Sequence, residues 1–236
     1  MPQGQLSVPR SLLAIRSYRG RRPVGITGDL VGSSGHSAEA VDTAMRAIQT
    51  AAANIAEWQI PPMDTRFTRF RGDGWQMYLK DPHLCLRAAL LVAASLRSSE
   101  IGMTTRVSIA IGTPDTIGTH DLSDAAGPVF QLSGRSLDTM PRTAQITLAG
   151  KAIGDRDRII ARQMFERTSR WTPQQAEAIA LYLHPDNPTL HQIAPTLGIS
   201  PQAVNYRLGG GGATHLRINL QLWEEVMEHE LGVPHA

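Results

Sequence analysis

The chain has 236 residues, a formal net charge of +2 and a sequence pI near 9.0, which suits one large domain or a medium and a small one. Its single cysteine, Cys85, cannot form an internal disulfide, so we expect a reducing, cytoplasmic location. We expect neither a membrane span, which needs about 18 uninterrupted apolar residues, nor a signal peptide.

The chain begins with a polar, basic stretch over residues 1–22 that carries five arginines and no acidic residue. Such a segment is either a frayed arm or an arm that binds phosphate. A short strand is predicted from Pro23, with Asp29 at its end and a Gly/Ser-rich loop after it. A helix with one apolar face is predicted over residues 37–58.

The stretch from Thr65 to Leu79 predicts a β-hairpin, because two strand-like runs flank Gly72-Asp73-Gly74. Asp73 on its own is either a turn former or a functional carboxylate. If the hairpin pairs antiparallel with the first strand, Asp29 and Asp73 come side by side. Two carboxylates beside glycines predict a Mg²⁺ site that also takes substrate phosphates.

The following elements complete a first unit that ends near residues 168–171. We predict a helix that begins at Asp81-Pro82 and runs to about Leu96, with Leu84, Ala88, Leu91, Val92 and Ser95 on its core side. A strongly alternating strand over 104–112, a helix over 127–140, a short strand over 144–148 and a charged amphipathic helix over 153–170 follow. This order predicts an α+β fold, a sheet with helices packed on one face.

Three motifs in this unit occur in an order that resembles a known family. They are Asp29-Leu30-Val31-Gly32-Ser33-Ser34, then Gly72-Asp73, then the stretch from Asp124 through Gly127 and Gln131 to Arg135. Roughly the first 170 residues thereby resemble class III nucleotidyl cyclases, and more closely the cyclase-like SatD family. The resemblance implies a ferredoxin-like, palm-type sheet and a cyclase-like domain over residues 23–168.

The resemblance also implies roles for individual residues. Metal ligands for Mg²⁺ or Mn²⁺ fall on Asp29, Leu30 and Asp73. Nucleotide-binding positions fall on Gly32, Ser33, Ser34, Arg69, Gly72 and Asp124. Gln131 would orient the ribose and Arg135 would stabilise the triphosphate in the transition state. Because the family site lies between two subunits, a homodimer is implied.

Two substitutions relative to the family pattern leave the activity open. Gln131 stands where the family has Asn, and Arg69 stands where it has Lys. The alternatives are a site that senses or cyclises a nucleoside triphosphate and a degenerate, non-enzymatic dimerisation domain. Apart from the resemblance, Arg135 is either a surface arginine or a residue that binds the triphosphate, and Asp124 is either a helix cap or a residue that reads the base.

Residues 171–236 predict a small all-α unit. A helix opens at Thr172-Pro173, and the stretch from Leu190 to Leu208 closely resembles a helix-turn-helix with Gly198 at the turn. This predicts a DNA-binding regulator of transcription, the alternative being a protein-contact unit. Gly209–Gly212 is predicted as a flexible wing or linker before a last helix. The candidate DNA contacts are Ser200, Gln202, Asn205, Tyr206 and Arg207.

Overall fold

The computed structural model of the chain describes residues 22–231, so the predicted N-terminal arm lies outside the described residues except for Arg22. These residues contain a five-stranded sheet and eight α-helices, which confirms the α+β class. No helix within residues 22–231 combines the length and the apolar character that crossing a bilayer requires.

The sheet is built around its first strand. β1 (Val24–Val31) pairs antiparallel with both β3 (Gly74–Leu79) and β4 (Thr104–Ile111). The short β2 (Thr68–Phe70) completes the hairpin with β3, and β5 (Ile146–Ala149) runs parallel to β4. The strand order is therefore β2-β3-β1-β4-β5, with the end of β1 in the middle of the sheet.

The helices begin where the sequence offers capping residues. The Ser37 hydroxyl accepts a hydrogen bond from the Ala40 amide at 3.2 Å, and Thr172 and Thr189 form capping boxes. The helices are α1 (Ala38–Trp58), α2 (Cys85–Ser98), α3 (Pro128–Asp138), α4 (Asp155–Glu166), α5 (Pro173–Tyr182), α6 (Leu190–Leu197), α7 (Pro201–Gly210) and α8 (Ala213–Glu230).

Helices cover both faces of the sheet, so the prediction of helices on one face is wrong. Successive side chains of β1 alternate between the faces. Val24 and Ile26 belong to the buried apolar cluster that includes α1 and α2. On the other face, the Thr27 hydroxyl lies 2.8 Å from the Ser133 hydroxyl of α3, and Gly25 lies under Phe130. Glycine at position 25 lets α3 approach the strand closely.

α2 is buried almost all around, which goes beyond the single core side that its sequence predicts. The sheet and α1 cover part of it, and α5 packs against the remainder. Arg87, in the first turn of α2, is 1% exposed and forms two 2.7 Å hydrogen bonds to the carboxylate of Glu224 in α8. Its remaining terminal nitrogen donates to the Leu183 carbonyl at 2.8 Å. One continuous apolar core therefore runs from β1 to α8.

The four glycines over residues 209–212 do not form a flexible wing. Gly209 and Gly210 are the last residues of α7, and Gly212, with a φ of 67°, makes the turn into α8. The indole of Trp171 donates to the Gly211 carbonyl at 3.0 Å. A Cβ at Gly211 would lie 2.5 Å from the terminal methyl of Ile179, so any larger residue here would force that side chain to shift.

Candidate functional site

Asp29 and Asp73 lie side by side near the end of β1. Asp29 is opposite Gly74 of β3, and the Leu30 amide donates to the Asp73 carbonyl at 3.1 Å. Gly72, with a φ of 85°, makes the turn that precedes Asp73. Both aspartates are half-buried. The antiparallel pairing thus produces the proximity that the hairpin pattern predicts.

The loop after β1 adds further oxygen atoms to this end of the sheet. Gly32 adopts a left-handed conformation with a φ of 88°, which turns the chain into a single helical turn over Ser33–Gly35. The Ser33 hydroxyl then donates to Asp73 Oδ2 at 2.7 Å, while Ser34 is exposed. α1 begins a few residues later, and the N-terminal end of a helix favours anions.

Arg106 of β4 binds Asp29, and sequence reasoning did not identify it. The two residues face each other across the β1–β4 pairing. Arg106 Nε donates to Asp29 Oδ1 at 3.0 Å, and Arg106 Nη2 donates to Asp29 Oδ2. This hydrogen-bonded pairing raises the pKa of the Arg106 guanidinium above its ordinary value. Asp29 is therefore neutralised by a bidentate partner from its own chain.

Arg69 lies on the opposite face of the sheet from Asp29. It pairs in register with Trp75, whose side chain belongs to the core under α1 and α2. Its guanidinium binds Asp42 of α1 at 2.6 Å and the Gly72 carbonyl at 2.6 Å. Because strand side chains alternate, a residue at position 69 faces α1 and not the Asp29–Asp73 pair.

Asp124 orders a loop and does not cap a helix. It accepts hydrogen bonds from the amide and hydroxyl of Thr119, at 3.2 Å and 3.0 Å, and these lower its pKa. The residue that caps α3 is Gly127, three positions later. The helix-cap interpretation of Asp124 is therefore wrong, and its carboxylate is exposed and engaged within its own loop.

Gln131 and Arg135 lie one turn apart on the exposed side of α3. Arg135 Nη2 donates to Gln131 Oε1 at 3.0 Å. The buried side of the helix carries Val129, Phe130 and Ser133 instead. Within a single chain, the structure therefore does not bring these two predicted catalytic residues into hydrogen-bond contact with the aspartates.

The residues that do come together fit a small, hard cation. Carboxylate, hydroxyl and carbonyl oxygens are available, and Mg²⁺ commonly uses one or two carboxylates plus water and phosphate. No group of three His, Cys, Asp or Glu side chains that could hold a metal occurs within residues 22–231. A divalent cation at Asp29 has to compete with Arg106 for the same carboxylate oxygens.

α6 and α7 are joined by a short turn with a defined geometry. Gly198, with a φ of 64°, ends α6, and the Ser200 hydroxyl accepts from the Ala203 amide at 3.2 Å to begin α7. Val204 and Leu208 bury the inner side of α7. The outer side leaves three predicted contact residues exposed: Gln202, Asn205 and Tyr206, the last at 84%.

Arg207 is held by its own chain and is not free on that surface. Its guanidinium binds Glu177 of α5 at 2.7 Å, and its side chain is 23% exposed. Residues 171–236 contain two arginines, no lysine and six acidic residues, a net charge of −4 in a chain whose total is +2. This distribution is the reverse of the basic footprint usual for phosphate contacts.

Comparison with known protein-family models finds no match for this sequence, and a search of curated proteins finds no matching relative. The resemblance to class III cyclases therefore rests on the quoted motifs. The functional inferences below are drawn from these motifs and from the contacts just described.

Proposed function

We propose that the Asp29–Asp73 pair binds Mg²⁺ or Mn²⁺ together with a nucleoside triphosphate, in a cyclase-like unit of ferredoxin-like topology. The observation that carries the proposal is that Asp29 and Asp73 are neighbours at the end of β1, with the Ser33 hydroxyl bound to the Asp73 carboxylate. The glycine-containing loop follows β1 directly, and α1 begins at Ala38, shortly after that loop. The N-terminus of a helix favours phosphate. Leu30 contributes its backbone carbonyl to the same end of the sheet.

Arg106 makes the proposed binding an exchange of partners. A divalent cation at Asp29 displaces the guanidinium, which is then free to pair with a phosphate oxygen of the nucleotide. Metal alone has to break the ion pair without such compensation. We therefore expect weak binding of the metal by itself and much tighter binding of metal and nucleotide together.

Isothermal titration with ATP, GTP, CTP and UTP in the presence of Mn²⁺ tests this assignment. Binding by the wild type should disappear in Asp29→Ala/Asp73→Ala and persist in Asp42→Ala, an aspartate on the opposite face of the sheet. Arg106→Gln should bind Mn²⁺ alone more tightly than the wild type. Equal nucleotide binding by the wild type and the double variant refutes the metal assignment.

We propose further that the site is completed in a homodimer, with Gln131 and Arg135 supplied by the second copy. Both side chains lie on the exposed side of α3, where a partner can reach them. A mixture of Asp29→Ala and Arg135→Ala chains then regains about a quarter of wild-type sites, because each mixed dimer has one intact site. Tight nucleotide binding is the readout, and product chromatography with labelled triphosphates reports turnover. A folded dimer that leaves every triphosphate intact supports the non-enzymatic regulator.

A second candidate function is DNA recognition by α6 and α7 as a helix-turn-helix. It is favoured by the short turn at Gly198 and by the exposed Gln202 and Asn205, since both amides can read adenine. Arg207 is reassigned to holding α7 against α5. Selection from a random DNA pool should yield a motif that Asn205→Ala loses and Arg207→Ala keeps. If no motif is enriched, the pair of helices is a protein-contact unit.

A further inference from the structure

An apolar groove of about 460 Å³ separates α4 from α8 on the surface of the protein. Arg156 at the start of α4 binds Glu230 at the end of α8 at 2.8 Å. At the other end of the groove, the guanidinium of Arg167, just after α4, lies against Gly212, just before α8. The two helices are therefore antiparallel, and two antiparallel helices with an apolar groove between them resemble one half of a four-helix bundle.

The groove belongs to a larger exposed aliphatic face. Within residues 22–231, eight large hydrophobic side chains are exposed, and four of them lie on these two helices: Ile159 at 61%, Ile218 at 49%, Leu222 at 55% and Val226 at 44%. The three on α8 are spaced four residues apart and therefore follow one side of the helix. Ile218 lies outside the groove, so a small molecule confined to the groove leaves it exposed. Such clustering favours another protein surface as the occupant.

The two sides of the groove carry opposite charge. Residues 155–170 include five arginines and three acidic residues, a net charge of +2, whereas residues 213–230 include one arginine and four glutamates, a net charge of −3. Arg162 of α4 and Glu225 of α8 are both exposed, and neither side chain makes a hydrogen bond or an ion pair with another described residue. Each helix thus offers a charge that a partner surface of opposite sign can neutralise.

Both helices arrange their exposed side chains in the same way. On α4, Ile159 is followed by a residue that lines the groove and, two positions further, by Arg162. On α8, Leu222 is likewise followed by a residue that lines the groove and, two positions further, by Glu225. With 3.6 residues per helical turn, each exposed aliphatic side chain stands between the groove on one side and a charge on the other. The charges therefore lie along the two outer margins of the face.

We propose that a second copy of this chain covers the face, with the two-fold axis running along the groove. This rotation places α4 of each copy antiparallel to α8 of the other copy, so that the four helices form a bundle. Ile159 then packs against Leu222 and Val226 of the second copy, and aliphatic side chains from both copies fill the groove. At the margins, Arg162 of each copy pairs with Glu225 of the other.

Charge and symmetry favour a second copy as the occupant. A two-fold interface joins the same surface of both molecules, so that surface has to be self-complementary. A face of one charge sign repels its own copy, whereas here the basic helix meets the acidic helix twice. α4 packs into the core cluster that includes α1 and α2, whereas Gln131 and Arg135 lie on α3 at the other face of the sheet. This contact is therefore independent of the proposed metal site, and a chain that forms both contacts is a tetramer.

Sedimentation velocity of the full chain measures the association. The wild type should self-associate, and Leu222→Asp should raise the dissociation constant of this contact at least about tenfold, because it places a charge in an apolar interface. Ile60→Asp is the matched control, since Ile60 is 79% exposed and lies outside the groove. Circular dichroism confirms that each variant is folded. A wild type that stays monomeric at about 100 μM, or equal association of the wild type and Leu222→Asp, overturns the proposal.

Charge reversal tests the pairing of the margins with surface substitutions that leave the core intact. Arg162→Glu and Glu225→Arg each bring like charges together at both margins of their own dimer, so each variant should associate more weakly than the wild type.

In a mixture of these two variants, both margins of a mixed dimer pair opposite charges. Native mass spectrometry, which separates the dimers by mass, should therefore find mixed dimers above the binomial fraction. The control mixture is Arg162→Glu with Glu57→Arg, which makes the same charge change at an exposed position of α1 and should give the binomial fraction. A binomial fraction from Arg162→Glu and Glu225→Arg as well overturns the proposal.

Discussion

Breaking the Arg87–Glu224 pair should destabilise the whole protein. Glu224 is 9% exposed, and Arg87 binds its carboxylate through two hydrogen bonds. Removing one member of a buried pair leaves the other charge uncompensated and costs about 3–5 kcal/mol. For Arg87→Met, this loss lowers the melting temperature by roughly 6–20 °C in a chain of this length.

Removing both charges should restore most of the loss. Replacing a buried pair by apolar residues is typically neutral or stabilising by about 1–4 kcal/mol. In Arg87→Met/Glu224→Leu, however, the Leu183 carbonyl loses the hydrogen bond it accepts from Arg87, which costs about 1–3 kcal/mol. These terms nearly cancel, so the double variant should lie within about 2 kcal/mol of the wild type.

The pH dependence of the same pair has a defined sign. Burial raises the pKa of Glu224, and the hydrogen bonds and charge of Arg87 only partly offset this effect. A raised native pKa means that the folded protein takes up the proton more readily than the unfolded chain. Its stabilising contribution is present below the ordinary glutamate value and is lost as pH rises through the raised value. The cost of Arg87→Met should therefore shrink as pH falls and Glu224 is protonated.

Urea denaturation followed by tryptophan fluorescence and far-ultraviolet circular dichroism measures these changes. We expect a single transition seen equally by both signals, because Trp171 and Trp223 belong to the same continuous core as the sheet. Arg87→Met should shift the midpoint strongly, and the double variant should return close to the wild type. A loss below about 1 kcal/mol in Arg87→Met, or no recovery in the double variant, refutes the reasoning.

Three further outcomes follow from the structure. Burial raises the pKa of the Cys85 thiol, so thiol reagents at pH 8 should leave the native protein unmodified and label Cys85 only after denaturation. Gly28→Ala should destabilise by about 1–3 kcal/mol in denaturant titration, since a Cβ there lies 2.4 Å from the Trp75 ring, and Gly35→Ala is an open-space control. Arg207→Ala should change the free energy of unfolding by about 1 kcal/mol or less, because its partner Glu177 is exposed.

Local pattern is enough to predict most elements and one long-range contact. The alternation of residues 104–112 matches β4, and the glycines around Asp73 match the turn of the hairpin. The adjacency of Asp29 and Asp73 follows from the antiparallel pairing of β1 with that hairpin. It was predictable because each aspartate lies next to a turn or loop that the sequence marks with glycines. Asp29 precedes the loop after β1, and Asp73 lies in the turn of the hairpin.

Arg106 was not predictable from its own strand. The alternation of the strand indicates the face of the sheet on which Arg106 lies. Its pairing with Asp29, however, requires that β4 lies next to β1 and pairs with it in one particular register. Shifting that register by one residue moves every side chain to the opposite face. The same rule places Arg69 away from the aspartates, a consequence that motif spacing along the chain does not reveal.

The other errors arise where tertiary packing overrides a local pattern. The sequence of α2 indicates one core side, yet the helix is buried on its other sides too, and Arg87 pairs with Glu224 of α8. A run of four glycines looks flexible, yet Gly211 is packed against Trp171. In both cases the decisive neighbour lies far along the chain, so no window of local sequence contains it.

The enclosure of α2 limits how this protein can be recombined. The sheet packs against one side of α2, and α5 packs against the other. Arg87 of α2 also binds Glu224 of α8. A chimera that replaces residues 171–231 with helices from another protein removes α5 and α8. One side of α2 then loses its packing partner, and Arg87 loses Glu224. Substitutions on α2 have to be matched by substitutions in the C-terminal helices. We therefore expect the sheet unit and residues 171–231 to change together in evolution.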